Sequence, residues 1–215
     1  MKHLGIAISR HGLDSASIPA AANVHWNLPV AQLVEHAIRR GEGVLAAEGP
    51  LVCNTGEHTG RSPKDKFTVK EPASESQIWW GNHNRAIAPE HFEGLLAKAR
   101  GYAAAKDLFV FQGYAGADPR YRIKVRVITE CAWHGIFARN MFVREDDPSV
   151  LADFAPEFTV VDLPGVHAEP AADGTNSATF ILLNLAQKII LIGGTQYAGE
   201  IKKGIFSVMN YLLPN

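Results

Sequence analysis

Residues 179–213 read TFILLNLAQKIILIGGTQYAGEIKKGIFSVMNYLL. Two apolar runs, Thr179–Leu185 and Lys188–Ile192, lie close enough in the chain to pair as a hairpin. Gly193-Gly194-Thr195 then breaks the run. From Ala198 to Leu213 apolar residues return at helical spacing, at Ile201, Ile205, Val208, Met209 and Leu212. A strand, a glycine-rich turn and a helix in that order aim backbone N–H groups and a helix dipole at one place. Lys202 and Lys203 fall in the first turns of this helix, where cations oppose the dipole. A bound anion or the carboxylate of Glu200 would offset that placement. The plainer reading is a helix with two solvated lysines.

Strands and helices alternate upstream as well. Pro29 is placed to open a helix reaching about Gly41, with Leu33, Val34, Ala37 and Ile38 on one stripe. Gly43–Ala47 and Leu51–Cys53 read as short strands around the turn Glu48-Gly49-Pro50. Phe67-Thr68-Val69 and Asp107–Gln112 read as strands, and Pro89–Ala104 as an amphipathic helix. Tyr121, Ile123, Val125 and Val127 alternate with Arg122, Lys124 and Arg126, so one face of that strand is apolar and the other basic. The basic face is either a solvated edge or one wall of an anion site. Glu130–Asn140 is expected to be helical and Phe158–Asp162 a strand. Residues 1–28 look like an extended lead-in. Interleaved strands and helices with several hairpins predict an α/β fold, a mixed β-sheet with helices on its faces. No interior linker divides residues 1–215, so one domain is expected.

The chain of 215 residues is long enough to bury a core without staples. With 47% hydrophobic and 20% charged residues it has the composition of a globular domain. A net charge of −1 provides no general basic field for nucleic acid or an anionic membrane. The two cysteines, Cys53 and Cys131, have no CxxC spacing and suggest free thiols in a reducing compartment. The start of the chain is too short and interrupted for a signal peptide, and no apolar run would span a membrane. The expectation is a cytoplasmic protein.

A second chemical segment is Asn54–Lys66, NTGEHTGRSPKDK. Gly56 and Gly60 permit close approach of a ligand. Thr55, Thr59 and Ser62 supply hydroxyls, and Arg61 a planar fork suited to carboxylate or phosphate. An anion-recognition loop competes here with a solvated basic turn. His58 reads as a solvated loop histidine. The sequence has no GxxxxGKS or GxxxxGKT phosphate loop, no GxGxxG after a strand, no HExxH and no GxSxG.

NTGEHTGRSPKDKF and LIGGTQYAGEIKKGIFSVMNYLLP resemble the N-terminal part of ATP-dependent phosphoenolpyruvate carboxykinase. ADPRYRIKVRV and TECAWHGIFARNMFVR, between them, are similar to that family as well. The likeness runs over roughly residues 25–214. It implies the fold of that family's N-terminal domain, which carries much of an organic-acid site. The family converts oxaloacetate and ATP into phosphoenolpyruvate, CO2 and ADP in gluconeogenesis, using magnesium and manganese.

Carried over by resemblance, Arg61 holds the substrate carboxylate. Tyr197 lies against oxaloacetate, phosphoenolpyruvate or CO2. Lys203 is a manganese ligand close to the transferring phosphate, and is the catalytic and cofactor-binding residue of this part. The family's C-terminal domain carries the nucleotide loop and the other metal ligands, and its residues are not among these 215. The resemblance therefore implies a chain inactive by itself, with that domain as partner and no cofactor bound to the chain alone. The alternative is a stand-alone carboxylate-binding or interaction domain without catalysis.

Overall fold

The computed structural model describes residues 1–213. The chain opens with β1 (Lys2–Gly5), β2 (Asn23–Trp26) and α1 (Val30–Arg39). The hairpin β3 (Gly43–Leu45) and β4 (Leu51–Cys53) follows, then β5 (Lys66–Val69), β6 (Arg85–Ile87) and α2 (Pro89–Ala103). Next come β7 (Asp107–Ala115), β8 (Ile123–Thr129), α3 (Ala132–Met141), β9 (Val143–Arg144) and α4 (Pro148–Ala152). The remaining elements are β10 (Phe158–Asp162), α5 (Pro170–Asp173), β11 (Phe180–Asn184), β12 (Ile189–Gly193) and α6 (Gly199–Leu212).

Ten strands make one mixed sheet in the order β1-β2-β7-β8-β10-β12-β11-β5-β6, with β9 beside β7. Strands β8, β10 and β12 are parallel neighbours, whereas β7–β8 and β11–β12 are antiparallel. The expected hairpin is β11–β12, with Phe180 opposite Gly193 and Asn184 opposite Ile189. Its turn is fixed by Asn184 Oδ1, which accepts the Gln187 N–H at 2.8 Å, and by Lys188 at φ 59°.

The continuous apolar runs follow from burial on both faces. Phe180 and Leu182 on β11 and Ile189 and Leu191 on β12 pack with Phe92, Leu95 and Leu96 of α2. Their neighbours Ile181, Leu183, Ile190 and Ile192 face the opposite way, onto Ile201, Ile205 and Val208 of α6. Helix α6 is thereby seated on the strand that precedes its own turn. That seating brings the start of α6 to the carboxyl ends of the parallel strands.

Two expectations need correction, and one strand was not anticipated. The lead-in is not merely extended: β1 and β2 pair in parallel with each other, and β2 pairs with β7. Leu13, Ala16, Ile18 and Trp26 belong to the core. Strand β6 lies in a segment with no strand-like apolar alternation and pairs with β5. The face of β8 that reads as basic is divided: Lys124 is exposed, as a solvated face would have it, whereas Arg126 is neither solvated nor part of an anion wall. Arg126 is fully buried and donates to Gly12 O at 2.8 Å, Ser9 Oγ at 2.9 Å, Phe154 O at 3.0 Å and Ser15 Oγ at 3.1 Å. The guanidinium fastens the lead-in to the sheet. Arg122 stacks instead on the Tyr114 ring, 3.7 Å from its centroid.

Candidate functional site

The glycine-rich loop is held by its own side chains. Asn54 Oδ1 accepts the Gly56 N–H at 2.9 Å, and Gly56 has φ +69°, a conformation that suits glycine. His58 is half-buried and bonded through both ring nitrogens, which corrects its reading as a solvated residue. Nε2 lies 2.9 Å from Thr179 Oγ1, whose hydroxyl donates to Gly194 O at 2.8 Å. The hydroxyl therefore accepts from Nε2–H. Nδ1 lies 3.1 Å from the Ser62 hydroxyl. One imidazole thus joins the loop to both ends of the β11–β12 hairpin.

Farther along the loop, Asp65 accepts from Ser177 Oγ at 2.9 Å. Lys64 O accepts from Asn176 and Arg85. Glu200, in the first turn of α6, is buried, and its Oε1 accepts the Ser62 N–H at 2.7 Å. The carboxylate that the two lysines of α6 called for is therefore present, but it is spent on the loop. Burial raises the Glu200 pKa, against the opposing pull of the Ser62 N–H, Arg61 and Lys66. Burial lowers the Lys66 pKa, with Glu200 opposing and Arg61 adding to the effect. Lys66 Nζ donates to Ser207 Oγ at 2.5 Å, and that hydroxyl donates to Lys203 O at 3.0 Å.

These contacts shape a cavity of about 470 Å³ lined by Arg61, Lys66, Glu200, Lys203, Phe206 and Ser207, among others. Three cations and one carboxylate in that group leave it a positive surplus. Arg61 is exposed, and Lys203 is half-buried with Nζ 5.0 Å from the Phe206 ring centroid. The cavity brings Arg61 and Lys203 together. Tyr197 lines neither this cavity nor the next. It sits on the turn before α6, its ring against Gly199, where a Cβ would meet ring carbons at 2.4 Å and 2.9 Å and the hydroxyl oxygen at 3.0 Å. Sequence reasoning missed Lys66 and Ser207. The positive balance of residues 61–66 was a signal for the lysine, but nothing marked the serine.

A second cavity, about 430 Å³, lies outside the carboxyl ends of β8, β10 and β12. His58, Glu130, Gly165, Thr195 and Gln196 contribute to its wall. Parallel α/β sheets offer ligand crevices at such strand ends. Glu130 is already engaged, accepting Gly165 N–H at 2.6 Å and Tyr102 O–H at 2.7 Å.

The donors at the first cavity do not make a complete divalent-cation site. Lys203 offers one amine, and Glu200 is committed to Ser62. Among the described residues no group of three His, Cys, Asp or Glu is arranged to hold a metal. Such a cation takes about six ligands, mostly oxygen.

The family profile described as phosphoenolpyruvate carboxykinase matches residues 22–215. The phosphoenolpyruvate carboxykinase (ATP) of Geobacter sp. (strain M21) is 49% identical over 210 residues, which are 98% of this chain and 39% of that protein. The phosphoenolpyruvate carboxykinase (ATP) of Thermus thermophilus is 50% identical over 205 residues, 94% of this chain and 39% of the relative. That of Methylorubrum extorquens (strain PA1) is 46% identical over 214 residues, again covering 39% of its length. The chain spans about two fifths of the length of these curated relatives.

Proposed function

The chain belongs to the phosphoenolpyruvate carboxykinase (ATP) family, and on that premise we propose that it forms the N-terminal, organic-acid-binding part of such an enzyme. The reaction turns oxaloacetate and ATP into phosphoenolpyruvate, CO2 and ADP. One observation supports the reading above others: Arg61 from the glycine-rich loop and Lys203 from α6 line one positively biased cavity.

In this reading the Arg61 guanidinium holds a substrate carboxylate through paired N–H donors. Lys66 adds positive charge where the carboxylate and, later, the phosphoryl oxygens lie. Glu200 keeps the Arg61 loop against α6, so that these groups converge. Tyr197, on the turn before α6 and outside the lining of this cavity, would have to meet the substrate at the cavity's margin. Cleavage of the bond to the departing CO2 leaves its electron pair in an enolate. The enolate oxygen attacks the γ-phosphorus of ATP as the bond from that phosphorus to the ADP oxygen breaks. Manganese and magnesium, when bound, supply Lewis-acid stabilisation of the developing negative charge. Lys203, with its amine deprotonated, would be one ligand for manganese, and the other ligands and the nucleotide loop would come from a C-terminal domain. The chain alone is therefore inactive in phosphoenolpyruvate formation. The gluconeogenic role and a cytoplasmic setting belong to the same reading.

Calorimetric titration of the chain with phosphoenolpyruvate tests it. A Kd of about 1 mM, equivalent to about 4 kcal/mol, is expected. Arg61→Lys should weaken binding about fivefold or more, because a point charge cannot reproduce a planar fork. Equal affinities for the two proteins would remove Arg61 from its role.

A further inference from the structure

His134 and Asp162 are both buried, and neither lines the cavity of Arg61 and Lys203. Nδ1 of His134 is 2.8 Å from Asp162 Oδ2, and its Nε2 is 2.9 Å from Gln196 O. We propose that His134 is a buried imidazolium clamp, with Asp162 as its counter-charge, that positions Tyr197 through the Gln196 carbonyl.

The protons follow from the partners. A carbonyl oxygen only accepts, so Nε2 carries a hydrogen. An ionised carboxylate also only accepts, so Nδ1 carries a second. The remaining contacts fit a cation. Thr129 Oγ1, at the end of β8, stands 3.4 Å from Nδ1 and accepts the Cys131 N–H at 3.1 Å. The Trp133 ring of the same helix lies nearly perpendicular to the imidazole, 4.2 Å between centroids, and makes a packing contact only. Glu42, beyond α1, acts on the imidazole as a second negative charge and is itself paired with Arg40 at 2.7 Å. Burial alone would lower the His134 pKa, but Asp162, Gln196 and Glu42 outweigh it and leave the pKa above the ordinary histidine value.

The consequence for the site lies in one peptide plane. The Gln196 carbonyl and the Tyr197 N–H belong to the same peptide group. His134 holds the carbonyl end, and Thr195 Oγ1 accepts the N–H end at 3.1 Å. A planar group gripped at both ends cannot rotate, so the chain enters Tyr197 in one orientation. The ring is then laid against Gly199. His134 is thus a positioning residue. Its effect on substrate rests on the proposed role of Tyr197, but the clamp itself does not.

NMR of the chain labelled with 15N in histidine reads the clamp directly. Two protonated ring nitrogens on His134 at neutral pH are expected. A singly protonated, neutral ring in the wild-type protein would overturn the proposal. In Asp162→Asn the ring should become the neutral Nε2–H tautomer, with Nδ1 accepting from the new amide. The Tyr197 amide signal should shift with it. A Tyr197 amide that does not move when the ring loses its charge would also overturn the proposal. Phosphoenolpyruvate affinity should fall about tenfold in folded His134→Gln, the loss of one charge-assisted hydrogen bond. Unchanged affinity there would remove the positioning role. If the wild-type protein binds no phosphoenolpyruvate, the functional reading fails while the two NMR measurements still decide the clamp.

Discussion

Glu200 accepts the backbone N–H of Ser62 across 2.7 Å, joining the first turn of α6 to the loop that carries Arg61. This bond separates geometry from charge. Glu200→Ala leaves a buried N–H without a partner and should cost about 1–3 kcal/mol in urea unfolding. It should also weaken phosphoenolpyruvate binding, because the Arg61 loop is released. Glu200→Gln keeps an acceptor for Ser62 and removes a negative charge beside Arg61 and Lys66. Anion affinity should then rise. Equal weakening in both variants would show that the carboxylate acts in some other way.

The same carboxylate sets a pH dependence. Burial raises the Glu200 pKa in the folded protein above its unfolded value. The stability linked to its proton is therefore fully present below the unfolded pKa and lost as pH rises through the folded one. Unfolding midpoints should show Glu200→Gln gaining on the wild type from acid to neutral pH. A gap that narrows over that range would contradict the sign.

Arg126 offers a test of the lead-in. Arg126→Met strands the carbonyls of Gly12 and Phe154 and the hydroxyl of Ser9, at a cost of about 3 kcal/mol. Burial lowers the Arg126 pKa to about 10, so the guanidinium stays charged at neutral pH. Limited proteolysis should find residues 6–20 cut much faster in Arg126→Met. An unchanged cleavage pattern would mean that the lead-in is held by Leu13, Ile18 and Trp26 without the arginine.

How far the sequence disclosed this arrangement depended on the range of the interaction. Helices α1, α2 and α6 were legible because proline or glycine punctuates a local period. The β11–β12 hairpin was legible because its two strands are adjacent. Strands β1, β2 and β6 were hidden, since each has three or four residues and owes its existence to a partner distant in the chain. Arg126 was misread for a related reason. Alternation shows that a strand has two faces, but not what covers them. At the site, Arg61 and Lys203 were legible through resemblance, and the cavity they share joins them. The His58–Thr179, Glu200–Ser62 and His134–Asp162 contacts were not. Each links residues whose proximity only the sheet order creates.

The thiols should be sluggish. Burial raises the Cys131 pKa far above the ordinary range, and Glu42, Asp162 and Glu130 add to it. Burial also raises Cys53, with Glu42 adding. Little thiolate exists at either position at neutral pH, and thiolate is the reactive form. Iodoacetamide labelling followed by mass spectrometry should modify Cys53 before Cys131, and both more slowly than free cysteine. Faster labelling of Cys131 would show that its surroundings are not closed.

Gly199 separates the position of the Tyr197 ring from the stability of the fold. Alanine favours a helix over glycine by about 1 kcal/mol, so Gly199→Ala should not weaken α6 itself. The added methyl would stand 2.4 Å and 2.9 Å from carbons of the Tyr197 ring, and a ring at the end of a side chain can swing away. Unfolding free energy should therefore stay within about 1 kcal/mol of the wild type. The Tyr197 ring signals should shift, while those of His134 stay in place because the Gln196 carbonyl is held from the other side. If Tyr197 faces the substrate, phosphoenolpyruvate affinity should fall without loss of stability. A variant that keeps full affinity while the ring signals move would exclude Tyr197 from substrate contact and leave Arg61 and Lys203 as the groups that hold the anion.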